Sequence, residues 1–446
     1  MGSTGPSHDW RFGLTQAVAD GDLNLQAKLY RQALAEAPGN HRLWVNYGDV
    51  HWLQGNVAES LVAFRRACSL SPDAVLAWRG LAHALRDGRQ YRAALEALSK
   101  ARALQDSPLL AWSASQLLLG LERYGEAYAL AERRLNHPEL ELYRTPQPPP
   151  VLLRDASPAS ASTSELVVFS EQGFGDTLQY LRWLVPLLNR GWRVQLELEP
   201  ALVSLVVEGM AWLGSAADRL QVWPRQPAAP PLTQQPAAVL SLLSLPYQLG
   251  GAPAADFFRS QRQGQWLGYL RHQLWMPPPP RSQPRIGLLW ASGRKEDDAF
   301  LAREYRQRSL PAEALGALLL GLQSQGAELV SLQLGPDRQR AGPWQQLVSE
   351  QLAEGSDFLA TAAAVRRLDL VITVDTAMAH LCGAIGQQAW VLLPFAADPR
   401  WLRGRSQSAW YPSLRLWRQP EPHQWKPVIE KLLAALPGWW QQQRLS

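Results

Sequence analysis

Trp10, Trp44, Trp78 and Trp112 stand 34 residues apart along the N-terminal third of the chain. A fixed period of this length marks a stacked array of helix pairs, and it constrains the fold before any other feature is read. Other positions recur in phase. Tyr30, Phe64 and Leu98 follow the first three tryptophans by 20 residues, and Ala33, Ala67 and Ala101 come three residues later. Pro38 and Pro72 close the first two units, where the missing N–H stops the second helix. Gly21, Gly55 and Gly88 mark the turn inside each pair. The spacing places each tryptophan opposite the small residue of the facing helix and reads the tryptophans as core. One pair cannot bury its apolar faces, but a stack can. In the fourth unit Glu132 and Leu135 replace the aromatic and the alanine, so that unit reads as a cap or a junction.

These spacings resemble the tetratricopeptide repeat over residues 7–140, and an all-α solenoid is assigned to residues 1–144. Such an array implies a concave surface that recruits a protein or peptide, or a buttress for a catalytic unit or a dimer.

The chain has 446 residues, 46% of them hydrophobic and 19% charged, enough for about three domains with substantial cores. The net charge of +5 is spread thinly, without the dense basic stripe that nucleic acid binding requires. A diffuse positive bias suits phosphate-bearing ligands better. Cys68 and Cys382 lie far apart, so no disulfide framework is readable, and the eight histidines have no metal-ligand spacing. No structural metal or metal cofactor is expected. The absence of an apolar leader in MGSTGPSHDW and of an 18-residue apolar run leads to the expectation of a cytoplasmic protein without a transmembrane segment.

Residues 145–163, TPQPPPVLLRDASPASAST, read as a linker. Beyond it the pattern alternates strand and helix. An N-terminal α/β half over 164–280 starts with the strand Leu166–Ser170 and a helix through Thr177–Asn189. A second proline cluster, Pro277–Pro280, precedes a C-terminal half over 281–446. That half holds strands at Arg285–Trp290, Glu328–Gln333, Leu370–Val374 and Ala389–Leu393. Two such halves predict parallel sheets with a ligand in the cleft at their carboxyl edges.

Four segments could carry chemistry there. Gln172, Gly173, Gly175, Asp176, Thr177 and Gln179 sit where a strand passes into a helix. Helix-start amides favour an anion, and Asp176 is either a general base or a helix cap. Asp375, Thr376, Ala377 and His380 follow a second apolar strand. Asp375 either caps the helix or meets ligand hydroxyls, and His380 is either on the ligand face with Thr376 or a buried core histidine. Trp290, Ser292, Arg294 and Lys295 end a third strand, with Arg308 close to the next helix, and either cradle phosphate or form a solvated loop. Pro394–Trp401 and Trp410–Pro412 are aromatic-rich walls or plain packing.

The strings EQGFGDTLQY, LDLVITVDTAMAHLCGAIG and WLRGRSQSAWYPSLRLWRQ together resemble the bacterial tetratricopeptide-repeat glycosyltransferases, whose catalytic part is similar to glycosyltransferase family 9, the heptosyltransferase-like group. The resemblance covers about residues 164–420. It implies a GT-B fold of two Rossmann-like domains and metal-independent, inverting transfer from a nucleotide-diphosphate sugar. It implies Asp176 as catalytic base, Asp375 and Thr376 at the donor sugar and phosphates, Arg294 and Lys295 at the strand-end cation site, and Gln333–Gly335 or Asp357–Phe358 at the base. The loop from Ala291 to Arg308 departs from that pattern in length and charge. The acceptor is expected to be a protein or peptide presented by the repeats. A lipid-linked or envelope glycan acceptor, or an inactive scaffold, are the competing readings.

Overall fold

The computed structural model describes residues 10–159, 164–232, 234–250, 281–294 and 298–445. They divide into two compact units. One holds the residues up to Arg123 together with the short segment Asp298–Arg306, and the other holds Tyr124–Arg294 and everything from Gln307 onward.

The first unit is built from α1 (Trp10–Ala19), α2 (Leu23–Glu36), α3 (His41–Gln54), α4 (Val57–Leu70), α5 (Val75–Asp87), α6 (Tyr91–Leu104) and α7 (Pro108–Gly120). Side-chain caps start several of them. Asp22 Oδ1 accepts from Asn24 N and Leu25 N, Asn40 Oδ1 from Arg42 N, and Ser107 Oγ from Leu110 N. The turns inside the pairs use a left-handed residue at Gly21 (φ 66°), Gly55 (φ 85°) and Arg89 (φ 59°). The third repeat therefore departs from expectation, since Gly88 keeps φ −75° and the next residue carries the strain. The 34-residue period of the turn survives this one-residue offset of the glycine.

The packing corrects the role given to the tryptophans. Trp44 and Trp78 are half-buried, and their indole N–H groups donate to Pro38 O at 2.9 Å and Pro72 O at 2.8 Å. Each latches its helix to the carbonyl of the proline that ended the preceding one. The large side chain in the core is instead the aromatic of the second helix. Phe64 is 1% exposed and fills space left by two glycines on neighbouring helices, Gly48 and Gly80. Ala33, Ala67 and Ala101 are fully buried, as their period predicts.

The second unit holds two parallel sheets. The first contains β1 (Glu165–Phe169), β2 (Arg193–Leu198), β3 (Leu220–Pro224) and β4 (Ala238–Ser241) in the order β3-β2-β1-β4. The second contains β5 (Arg285–Leu289), β6 (Glu328–Ser331), β7 (Val348–Glu350), β8 (Leu370–Val374), β9 (Ala389–Leu393) and β10 (Leu414–Arg418) in the order β10-β9-β8-β5-β6-β7. Helices cover both faces of such sheets, so β8 and β9 are buried along their whole length. The architecture is α/β, as the strand–helix alternation requires.

Three boundaries differ from the sequence reading. α8 (Tyr124–Ala131), the second helix of the fourth repeat, belongs to this unit. The segment read as a linker is tied to the first sheet: Gln147 and Val239 exchange two backbone hydrogen bonds, of 2.8 and 2.9 Å, and Leu153 is fully buried. The long helix expected over 177–189 is broken into α9 (Phe174–Tyr180), a 3₁₀ turn and a last turn ending at Asn189. The proline cluster at 277–280 lies outside the described residues. No helix among the described residues is long and apolar enough to cross a membrane.

A Cβ placed on Gly80 would stand 2.2 Å from the Phe64 ring, which is itself enclosed. Gly80→Ala is expected to destabilise the repeat unit by about 1–3 kcal/mol. Adding Phe64→Leu should recover part of that loss in a denaturant titration. Equal midpoints for wild type and Gly80→Ala would contradict the packing.

Candidate functional site

The carboxyl ends of β1, β5 and β8 carry the polar residues that the sequence singles out. At the end of β1 the chain turns through Gln172, a non-glycine residue at φ 67°, and Gly173 then takes the N-cap position of α9. Asp176 is thus in the first turn of the helix and does not cap it. Its Oδ1 accepts from Arg400 Nη2 at 2.8 Å, and Gln179 Oε1 accepts from Arg400 Nη1 at 2.9 Å. Arg400 also pairs with Asp398, 3.0 Å from its Nε, and Asp398 Oδ1 in turn accepts from Arg400 N. One guanidinium thus joins α9, which follows the first sheet, to the loop after β9 of the second. Burial opposes the charge on Arg400, but Asp398 and Asp176 outweigh it and hold the group well above its ordinary value. Burial likewise opposes the charge on Asp398, and Arg400 more than offsets it, so this carboxyl lies below its usual range.

The end of β8 packs against α9. Gly175 faces His380: a Cβ there would come 3.0 Å from His380 Cδ2 and 3.6 Å from Ala377 Cα, so a larger residue would press on the imidazole and require it to give by a few tenths of an ångström. The helix Ala377–Ile385 is capped by Thr376, whose Oγ1 accepts from Met378 N at 3.3 Å. Asp375 therefore serves neither as that cap nor as a surface group. It is 4% exposed, its Oδ1 accepts from Trp401 Nε1 at 2.9 Å, and its Oδ2 has no hydrogen-bond partner among the described residues. Burial raises its carboxyl, against the opposing pull of Arg308. His380 does not join Thr376 at a ligand face. Its Nδ1 lies 2.9 Å from the Tyr411 hydroxyl, its ring stacks on Trp401 at 5.3 Å, and burial with Arg400 nearby keeps it well below its ordinary value.

The end of β5 makes a second cluster. Gln333 Oε1 accepts from Trp290 N at 3.2 Å and Ala291 N at 2.9 Å, and Ser292 N donates to Ser309 Oγ at 3.1 Å. Trp290 is 1% exposed and its indole donates to Asp337 O, which makes it a packing residue. Ser292 is buried, and its Oγ is without a hydrogen-bond partner among the described residues, as is Thr177 Oγ1 on α9. Arg308 acts electrostatically on both Asp375 and Asp398, which ties this cluster to the first. Arg294 is exposed, and Lys295 lies outside the described residues. Asp357 caps the helix Phe358–Val365 through Ala360 N at 2.8 Å, and Phe358 packs on Phe174 at 5.0 Å between ring centroids.

The sequence reading missed Arg400, Asp398 and Arg182. The first two stood inside the segment chosen for its aromatics, and the Asp-Pro-Arg-Trp run was the available signal. Arg182 is 1% exposed, donates to Gln179 O and Trp410 O, and lies 4.6 Å from the Tyr411 ring centre, so it braces the site from behind. The orphaned oxygens on Asp375, Thr177 and Ser292 are unsatisfied buried polar groups of the kind that mark a functional site.

Two expectations follow. A carboxyl whose folded pKa is raised costs stability as pH climbs through that value, so Asp375→Asn is expected to raise Tm at pH 7.5 by on the order of 2 °C, with the gain shrinking toward pH 4. An unchanged Tm would contradict a strained carboxylate. The depressed His380 leaves the unfolded chain as the better proton acceptor below pH ~6.5, so its contribution is present above that pH and lost on acidification. Its ring carbon shift should stay that of a neutral imidazole at pH 5.5, and titration near 6.5 would refute this.

The tetratricopeptide-repeat family profile matches residues 41–84, and no curated protein matches the chain. A crystal structure of MamA is 17% identical over 28% of this chain and 72% of that one, with a TM-score of 0.27. A thermophilic TPR protein in Thermus thermophilus is 16% identical over 28% and 70%, with a TM-score of 0.26. YrrB, described as a TPR protein with an unusual peptide-binding site, is 18% identical over 25% and 59%, with a TM-score of 0.24. The N-terminal helix pairs are tetratricopeptide-like repeats.

Proposed function

We propose that the second unit is a sugar transferase of the GT-B kind that takes a nucleotide-diphosphate sugar as donor, and that the repeats present a protein or peptide acceptor to it. The observation that carries this reading is the cluster at the carboxyl ends of β1 and β8, where Asp176 and Arg400 meet beside the buried, half-unpaired carboxylate of Asp375. Ligands of parallel sheets bind at that edge.

In this reading the acceptor O–H or N–H attacks the anomeric carbon as the bond from that carbon to the diphosphate oxygen breaks. The acceptor proton passes to Asp176, and the electron pair of the broken bond leaves on the diphosphate. Asp176 Oδ1 accepts from Arg400 Nη2 at 2.8 Å, which orients the carboxylate that takes the proton in this reading. Arg308 and the positive end of the helix Ala377–Ile385 lie toward the departing negative charge in this reading. Asp375 Oδ2, Thr177 Oγ1 and Ser292 Oγ are available for donor hydroxyls and phosphate oxygens. The repeat array, a scaffold of tetratricopeptide-like helix pairs, supplies the acceptor surface.

Thermal shift of the whole chain against ADP-, GDP-, UDP-, TDP- and CMP-sugars tests the donor site. One donor is expected to raise Tm selectively. Asp176→Asn should keep that shift while slowing sugar release by about 100-fold or more. No shift with any donor, or full turnover in Asp176→Asn, would overturn the reading and favour a scaffold without catalysis.

A further inference from the structure

The loop between β5 and Ser309 is the part of the chain that the transferase resemblance leaves unexplained, and its helix packs inside the repeat unit. Asp298 Oδ1 accepts from Leu301 N at 2.9 Å and starts the helix Ala299–Arg308. Phe300 and Arg303 are three residues apart and share one face. Both meet Trp52 of α3. The Phe300 ring stacks on the indole at 5.6 Å with the planes 24° apart, and the Arg303 guanidinium lies 4.1 Å from the indole centre. Arg303 Nε donates to Trp52 O at 2.6 Å and its Nη2 to Asp87 Oδ2 at 2.5 Å. Asp87, at the end of α5, also accepts from Trp52 Nε1 at 2.7 Å and pairs with Arg86 at 2.9 Å. Arg303 and Asp87 are each 2% exposed.

These features make a recognition cleft. An indole supplies the wall, a carboxylate fixed from two sides supplies the charge, and a carbonyl in the last turn of a helix adds to the attraction for a cation. A guanidinium satisfies all three at once, which an ammonium does not. Asp87 is also held by Arg86 and Trp52, both on the array side, so two of the three groups that fix the carboxylate belong to the array itself. We propose that the Trp52–Asp87 cleft is a peptide-recognition site for a short helix carrying an aromatic and an arginine one turn apart, and that Asp298–Arg306 is its built-in occupant. The site is masked in the resting chain and takes a second such helix only when its own is displaced. This inference is independent of the transferase reading.

The test uses the full chain and a fluorescein-labelled peptide with the sequence of residues 298–308. Phe300→Ala/Arg303→Met removes the two side chains that occupy the cleft and changes no residue of the repeats. The peptide is expected to bind this variant at least tenfold tighter than wild type, by fluorescence anisotropy. Asp87→Asn added to the vacated chain should abolish that binding. In parallel, backbone amides of residues 300–308 should exchange with deuterium at least tenfold faster in Arg303→Met than in wild type. Equal peptide binding to wild-type and vacated chains, absence of binding included, or unchanged exchange in Arg303→Met, overturns the proposal.

Discussion

The guanidinium of Arg400 is the interaction on which the second unit's site depends. It contacts Asp176 and Gln179 on α9, and Asp398 on its own loop. Without that cation Asp176 and Asp398 would both lose their ion pair near the buried Asp375. Gly175 is the steric counterpart of this electrostatic contact. Without a Cβ there, α9 comes against His380 and Ala377 with no tight contact to relieve. Around this centre Arg182, Trp401, Trp410 and Tyr411 form a packed rear wall, so the polar groups in front are held by side chains with few alternative rotamers.

Asp375 shows what such an arrangement costs. A buried carboxylate with one oxygen unpaired does not stabilise a fold. Its neighbours supply a single indole donor and the pull of Arg308 and Arg400, which together do not offset its burial. A buried, half-unpaired carboxylate at the carboxyl end of a central parallel strand is the feature on which the proposed donor site rests.

The sequence disclosed the two architectures but not the roles within them. The 34-residue period fixed the helix pairs because turn, proline and small residue recur together, and the left-handed turn kept its place even where Gly88 lies one residue early and Arg89 takes the conformation. The tryptophans misled because size alone suggested core, whereas the indole N–H found a proline carbonyl six residues back, a geometry visible only in the folded turn. The βα units at Glu165 and Leu370 were legible from apolar runs followed by helix starts. The caps were not: Gly173 and Thr376 hold the N-cap positions that stood as one of two readings for Asp176 and Asp375, since either neighbour satisfies the same pattern. Arg400 was invisible as a partner of Asp176 because the two are 224 residues apart.

The central claim is that the ends of β1, β5 and β8 form one site for a nucleotide diphosphate. Photo-crosslinking with azido-substituted nucleoside diphosphates, followed by peptide mapping, tests it most directly. Labelling confined to peptides that contain residues 170–179, 290–294, 333–338 or 357–380, and competed by unlabelled nucleotide, is the predicted result. Labelling that maps to the repeat unit, or that excess nucleotide does not displace, would contradict it.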